Sequence, residues 1–188
     1  MKNPLAEKIL FLRVKNRDKD AYAEFYDLYV EKIYRFIYFK VSSVSDAQDL
    51  TSEVFLKMWQ RLKDGKEVKN LNSFIYIIAR NSVIDFYRQR SQRDDKERSI
   101  DDSERPIHLI DEKNDLIRKK IMASDMEVVT KGLANLKDEY REVVMLRFMD
   151  ELSIAEIANI LNKSKGAVRV IIHRALSALK ENINSFNE

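Results

Sequence analysis

The sequence predicts an all-α protein: two small helical domains joined by a flexible acidic linker. Three observations carry that reading. Gly (3) and Pro (2) are scarce among 188 residues, while Lys, Glu, Leu and Ile are abundant. Apolar residues recur at steps of three and four toward both ends of the chain. Between those ends, from Gln92 to Asp115, charge crowds out apolar side chains and Pro106 interrupts the remainder.

The first periodic stretch runs through Tyr22, Phe25, Tyr26, Tyr29, Val30, Ile33, Phe36 and Ile37. A second helix carries Leu50, Val54, Phe55, Met58, Trp59 and Leu62 on one stripe. Ser45 is its expected cap, with Gln48 as the capping-box partner, and Gly65 its expected end. A third helix is expected from Ser73 to Arg90, with Phe74, Ile77, Ile78, Ile84 and Tyr87 on its apolar side. The linker follows. Between Gln92 and Asp115 its acidic residues (Asp94, Asp95, Glu97, Asp101, Asp102, Glu104, Asp111, Glu112 and Asp115) outnumber the basic Arg93, Lys96, Arg98, Arg105 and Lys113, and Ile107, Leu109 and Ile110 form a small apolar patch. Periodicity resumes near Ile117. Val128, Val129, Leu133, Leu136, Val143, Val144, Leu146 and Phe148 are candidates for a second core. The domains are therefore 1–91, a linker over 92–122, and 123–188, with no internal repeat.

Composition excludes several classes of function. Without Cys there is no thiolate nucleophile, disulfide framework or Cys-type zinc site. His108 and His173 are too few for a histidine metal centre. Gly65, Gly132 and Gly166 are scattered and form no phosphate-cradling loop. No nucleophile–base set or carboxylate pair with metal spacing stands out, so no enzyme, cofactor or metal is expected. The apolar run Phe74 to Ala79 is too short to span a bilayer. The N-terminus lacks the apolar segment of a signal peptide. A soluble, cytoplasmic protein is expected.

The net charge of +3 hides a pattern. Residues 1–90 hold 17 basic and 12 acidic side chains. From Ile157 to Lys180 there are five basic residues and no acidic one, whereas Asp138 to Glu156 is mostly acidic. That basic stretch also has the form of a helix-turn-helix. Ser153 and Glu156 make a capping box before Ile154, Ile157, Ala158, Ile160 and Leu161. Asn162-Lys163-Ser164 is the turn, and Ser164 caps the last helix. That helix is expected to bury Val168, Ile172, Ala175, Leu176 and Leu179. The opposite side carries Gly166, Val170, His173, Arg174 and Ser177, with Arg169 at the flank. Such a face suits a major groove. Arg174 can pair with guanine edges or a phosphate, and Val170 can touch a thymine methyl. Gly166 lets backbone amides approach a phosphate. A solvated helical hairpin with a basic surface is the plainer reading of the same periodicity.

Two blocks of sequence resemble bacterial RNA polymerase sigma factors of the sigma-70 family, extracytoplasmic-function (ECF) group. The stretch from Leu136 to Phe148, then Leu152-Ser-Ile-Ala-Glu-Ile-Ala, then Gly166 to Leu176, is similar to region 4. Asp46 to Trp59 resembles region 2.2, and Phe74 to Arg88 the promoter-melting segment after it. The resemblance implies a sigma region 2 bundle, a linker and a region 4 helix-turn-helix, with no catalytic residue. It implies that the protein binds core RNA polymerase through the β′ clamp helices and the β flap, binds promoter DNA and starts transcription. Asp46, Gln48, Asp49 and Glu53 fall where the family docks on the clamp helices. Lys63, Lys66 and Lys69 fall in the loop that captures a flipped minus-ten base. Arg80, Asn81, Asp85 and Arg88 lie on the helix that approaches the melted strand. Ser164, Lys165, Gly166, Arg169, Val170, His173 and Arg174 correspond to the minus-thirty-five reader. The resemblance also implies an anti-sigma factor, often membrane-bound. The sequence departs from the family pattern at Val170-Ile171, where Ser-Arg is common, at Ile77, where arginine is frequent, and in a turn without the usual glycine.

An autonomous helix-turn-helix regulator is the alternative. The paired segments 46–59 and 74–88 separate the two readings, because a regulator needs neither a polymerase-docking face nor a melting helix.

Overall fold

The computed structural model describes residues 4–97 and 132–184. These fall into two compact units, one on each side of the intervening stretch. Most of the expected linker, and the core candidates Val128 and Val129, lie outside the described residues. All regular structure among the described residues is helical.

The N-terminal unit contains α1 (Pro4–Lys15), α2 (Lys19–Val41), α3 (Val44–Lys63) and α4 (Leu71–Glu97). Helix α2 is the hub: it packs on α1, α3 and α4, and α3 packs on α4. Its core side chains Phe25, Ile33, Phe36 and Ile37 are fully buried, as are Val54 and Met58 of α3 and Leu71, Ile75, Tyr76 and Ala79 of α4, and the Phe36 and Tyr76 rings meet edge to face. Burying each of the larger ones contributes about 1.5–3 kcal/mol. The Tyr22 hydroxyl donates to the Phe55 carbonyl at 2.5 Å, and burial pushes its pKa above the ordinary tyrosine range.

Three boundaries differ from the sequence expectations. Helix α1 was not anticipated. Leu10 and Val14 are buried, but Leu5, Ile9 and Leu12 are exposed, so its apolar residues surround the axis and give no stripe. The cap of α3 is Ser43 rather than Ser45: its extended backbone lets Oγ accept from the Asp46 N–H at 3.3 Å. Asp46 therefore takes the third helical position expected for Gln48. Helix α4 starts at Leu71, where Asn70 Oδ1 accepts from the Ser73 N–H at 3.0 Å, and runs to Glu97, past the expected linker start. Arg, Gln, Lys and Glu are good helix formers, so the polarity of residues 89–97 does not itself break the helix.

The buried side of α4 is also rotated from the expected one. Ile75, Tyr76, Ala79 and Val83 are buried, with Ser73 and Ser82 between them. Phe74, Ile77 and Ile78 are half-buried, and Ile84 and Tyr87 are 48% and 45% exposed. The run Phe74 to Ala79 is apolar all round and carries no phase. The small Ser73, Ala79 and Ser82 mark the side where neighbouring helices come close.

The C-terminal unit begins, among the described residues, with a helical turn at 132–134. Helix α5 (Asp138–Val144) continues as a π-helical turn over Met145–Met149. Helix α6 (Ile154–Leu161) and helix α7 (Lys165–Asn184) complete it. Leu133, Leu136, Val144 and Ala175 form a buried cluster, with Tyr140, Met149, Ala178 and Leu179 packed against it. The π turn corrects one core assignment. Phe148 is 52% exposed, and Met149 packs inward instead. A hydrogen bond reaching five residues, Asp150 N–H to the Met145 carbonyl at 3.0 Å, shifts the inward position from 144+4 to 144+5.

Arg141 holds this unit together from inside. Its Nε donates to the Leu133 carbonyl at 2.8 Å, and one terminal nitrogen donates to those of Ala134 (2.7 Å) and Leu136 (2.8 Å). The other pairs with Asp138 at 3.1 Å. These are carbonyls that a helix end leaves without intrahelical donors. Burial lowers the Arg141 pKa, and Asp138 opposes that. Glu142 and Asp150 are buried as well, so the acidic stretch 138–156 is partly interior.

Arg141→Met keeps the volume but strands those carbonyls. It should cost about 3 kcal/mol of stability, read as a lower urea midpoint at unchanged m-value.

Candidate nucleic-acid interface

The terminal helix pair has the expected form. The Ser153 hydroxyl accepts from the Glu156 N–H at 3.2 Å, and Glu156 Oε2 accepts from the Ser153 N–H at 2.9 Å, a complete capping box. Asn162 ends α6 in the left-handed region, at φ 52°. Ser164 Oγ then accepts from the Ala167 N–H at 3.1 Å, and the Ser164 carbonyl from the Val168 N–H at 3.0 Å. The turn between α6 and α7 is thus fixed by the left-handed backbone of Asn162 at one end and the Ser164 side-chain cap at the other.

Helix α7 presents two unlike faces. Val168 and Ala175 are fully buried, with Ile172 and Leu179 half-buried beside them. Ser164, Lys165, Gly166, Arg169, Val170, His173 and Arg174 are all exposed, as is Ser177. The sequence placed Leu176 inside; it is 42% exposed. It lies about 80° from Val168 around the helix, at the edge of a narrow seam. A Cβ at Gly166 would meet nothing nearer than Ser164 Oγ at 3.8 Å, so packing within the chain does not require glycine there. Lys163 of the turn pairs with Glu139 at 3.0 Å. Lys165, Arg169 and Arg174 carry the positive charge of the outward face.

In the N-terminal unit, the stretch between α3 and α4 places Lys63, Lys66 and Lys69 at the surface, with Val68 buried as its anchor. Gly65 adopts φ +70°, where an L side chain is strained. Lys66 lies 3.7 Å from Asp64. On α4, Asn81 and Arg88 are exposed, and Arg80 and Asp85 are half-buried. Arg88 and Asp85 pair at 3.0 Å. Arg61 sits 5.8 Å from the centre of the Phe74 ring, a cation–π contact on the α3 side of the stretch.

Of the four acidic-face candidates on α3, Gln48, Asp49 and Glu53 are exposed and Asp46 is half-buried. Glu53 pairs with Lys57 at 2.6 Å, and Lys57 Nζ donates to the buried Ser82 hydroxyl of α4 at 3.1 Å. Sequence reasoning missed Lys57 and Ser82. The Glu53–Lys57 spacing of four residues was the available signal, but no pattern joins Lys57 to a serine on another helix. Among the described residues no group of His, Cys, Asp or Glu could hold a metal ion, and no helix is long and apolar enough to cross a membrane.

Comparison with known proteins covers both units. The family model for sigma-70 region 2 matches residues 25–93, and that for sigma-70 region 4 matches residues 132–181. The ECF RNA polymerase sigma factor SigW of Bacillus subtilis is 28% identical over 178 residues, 91% of this chain and 93% of that protein. The ECF RNA polymerase sigma factor ShbA of Streptomyces griseus is 31% identical over 134 residues, 71% of this chain and 69% of that one. Two solved structures share the fold. One is CnrH in complex with the cytosolic domain of CnrY, with TM-score 0.67 and 19% identity, covering 96% of this chain and 98% of that one. The other is the sigma factor RpoE of Bartonella quintana in complex with the anti-sigma factor NepR, with TM-score 0.64 and 21% identity, covering 86% and 96%.

Ser164→Ala removes the acceptor that starts α7. It should destabilise the C-terminal unit by about 1 kcal/mol, measured by thermal unfolding.

Proposed function

The chain belongs to the sigma-70 family, in its extracytoplasmic-function group, and on that premise we propose how its residues divide the work of starting transcription. The protein binds core RNA polymerase, directs it to promoters and helps to open them. It acts in the cytoplasm, where polymerase works, and has no catalytic site of its own. An anti-sigma factor is its regulatory partner.

The observation that carries this reading is the outward face of α7. All seven candidate residues are exposed, and the start of the helix that carries six of them is fixed by the cap at Ser164. Lys165 and Gly166 lie in the first turn, where a helix has backbone N–H groups to offer a phosphate. Arg169 and Arg174 supply charge, and Val170 an apolar contact. Glycine at 166 answers to close approach from outside, since nothing inside the chain requires it. We assign this face to the minus-thirty-five element.

The exposed lysines at 63, 66 and 69 are assigned to the single strand of the minus-ten element, with Arg80, Asn81, Asp85 and Arg88 along the helix beside it. Unstacking a base costs a few kcal/mol, and the cations of this stretch offset part of that cost. Asp46, Gln48, Asp49 and Glu53 are assigned to the polymerase clamp. An autonomous regulator would have no use for these two N-terminal surfaces.

Run-off transcription with core polymerase on a promoter library tests the whole reading. Promoter-specific transcripts are expected; duplex binding without any polymerase-dependent transcript would overturn it. Within that assay, Arg174→Ala should weaken promoter binding by about 1–3 kcal/mol and relax preference at one minus-thirty-five position.

A further inference from the structure

Helix α1 lies outside both segments matched by the family models. Its buried side is short, yet its polar side chains converge on the stretch between α3 and α4. Lys15 Nζ donates to the Lys69 carbonyl at 3.0 Å. Nearer the start of α1, Glu7 Oε1 accepts from Asn72 Nδ2 at 3.4 Å and from the Tyr29 hydroxyl at 3.3 Å. That hydroxyl also donates to Asn72 Oδ1. Arg17, in the turn after α1, lies over Gly65: a Cβ there would be 2.8 Å from a terminal guanidinium nitrogen. The stretch is therefore tied near its end and on the first turn of α4 by residues from one distant segment, with Arg17 of that segment close over its beginning.

We propose that α1 is a positioning brace for residues 64–72, setting the geometry in which Lys63, Lys66 and Lys69 meet the unpaired strand. This rests on the assignment of that stretch to the minus-ten element. The stretch has little of its own to define its path. Val68 and Leu71 are buried, but residues 66, 67, 69 and 70 are exposed. Their backbone must be oriented by polar ties. The Lys69 carbonyl shares a peptide plane with the Asn70 nitrogen, and Asn70 caps α4 through the Ser73 N–H. A donor on that carbonyl therefore orients the Lys69 side chain and the helix start together. The Glu7–Asn72–Tyr29 group fixes the next turn against α2.

A brace of this kind contributes more to base discrimination than to affinity. Charge attracts a phosphate backbone from many positions, whereas telling one base from another needs contacts held in one geometry. Loosening the loop should leave the cations in place and blur the choice of base.

The test uses the full chain with core polymerase and a promoter library randomised through the minus-ten element over a constant minus-thirty-five element. The double variant Lys15→Ala/Glu7→Ala should lower discrimination at one or more minus-ten positions by about two- to tenfold, the effect of a net hydrogen bond. Lys15→Arg and Glu7→Gln, which keep the donor and the acceptor, should restore it. Thermal unfolding of each variant accompanies the assay. A uniform loss at every promoter with base preference unchanged, or no change at all, would overturn the brace and leave α1 a packing element. Lys66→Ala and Lys69→Ala test the assignment beneath it, and should lower transcription about equally at every minus-ten sequence. If they do and the α1 variants leave base preference unchanged, only the brace falls. If the lysine variants change nothing, assignment and brace both fall.

Discussion

The narrow seam of α7 is the constraint on which the C-terminal unit depends. A helix assigned to a groove cannot bury itself all round, and α7 gives the core only Val168 and Ala175 in full, with Ile171, Ile172, Ala178, Leu179 and Ile183 among those buried in part. So few buried side chains cannot orient a twenty-residue helix alone. The orientation comes from elsewhere: the Ser164 cap, the left-handed Asn162, the packing of Gly132 against Leu179 and Ile183, and the Asn182 amide donating to the Gly132 carbonyl at 3.2 Å. At Gly132 a Cβ would approach Leu179 to 3.0 Å. That glycine serves close packing, unlike Gly166, whose surroundings are open.

The same economy shows in the placement of charge. Counting cations overstates what is available to DNA, because several are committed within the chain. Lys163 is tied to Glu139, Arg88 to Asp85, and Arg141 is buried on carbonyls. Exposed pairs of this kind are worth about 0–1 kcal/mol. Lys163 and Arg88 can therefore exchange a carboxylate for a phosphate at little cost. Arg141 cannot, since its departure would leave buried acceptors unpaired.

Legibility in the sequence followed the range of the interactions. The helix-turn-helix could be read almost residue by residue, because caps, turn and seam are set by neighbours a few positions apart. Gly166, Val170, His173, Arg174 and Ser177 are exposed, as their place opposite Val168 in the helical period requires. The phase of α4 was not legible, because its apolar run has no polar side to orient it. Phe148 was misplaced because a π turn leaves no mark in a period of 3.6. Helix α1 was missed because its apolar residues surround the axis. The ties from Glu7 and Lys15 to Asn72 and Lys69 span 65 and 54 residues, and no local pattern encodes them.

Long-range polar ties also give the N-terminal unit a physical route between its surfaces. Glu53, on the face assigned to the clamp, holds Lys57, and Lys57 reaches Ser82 inside the α3–α4 contact. Ser82 lies one residue from the exposed Asn81, on the helix assigned to melted DNA. Lys57 and Glu53 are both nearly half-exposed, so their attraction is screened and Glu53 can turn to another cation cheaply. The Lys57–Ser82 bond is less free to change, because Ser82 is buried and a hydroxyl left there without a partner costs about 1–3 kcal/mol. A partner that draws Glu53 away thus leaves Lys57 held by α4 alone. One lysine therefore bridges the α3 face assigned to the clamp and a buried hydroxyl of α4, and the α3–α4 contact keeps that tie whether or not Glu53 is drawn away.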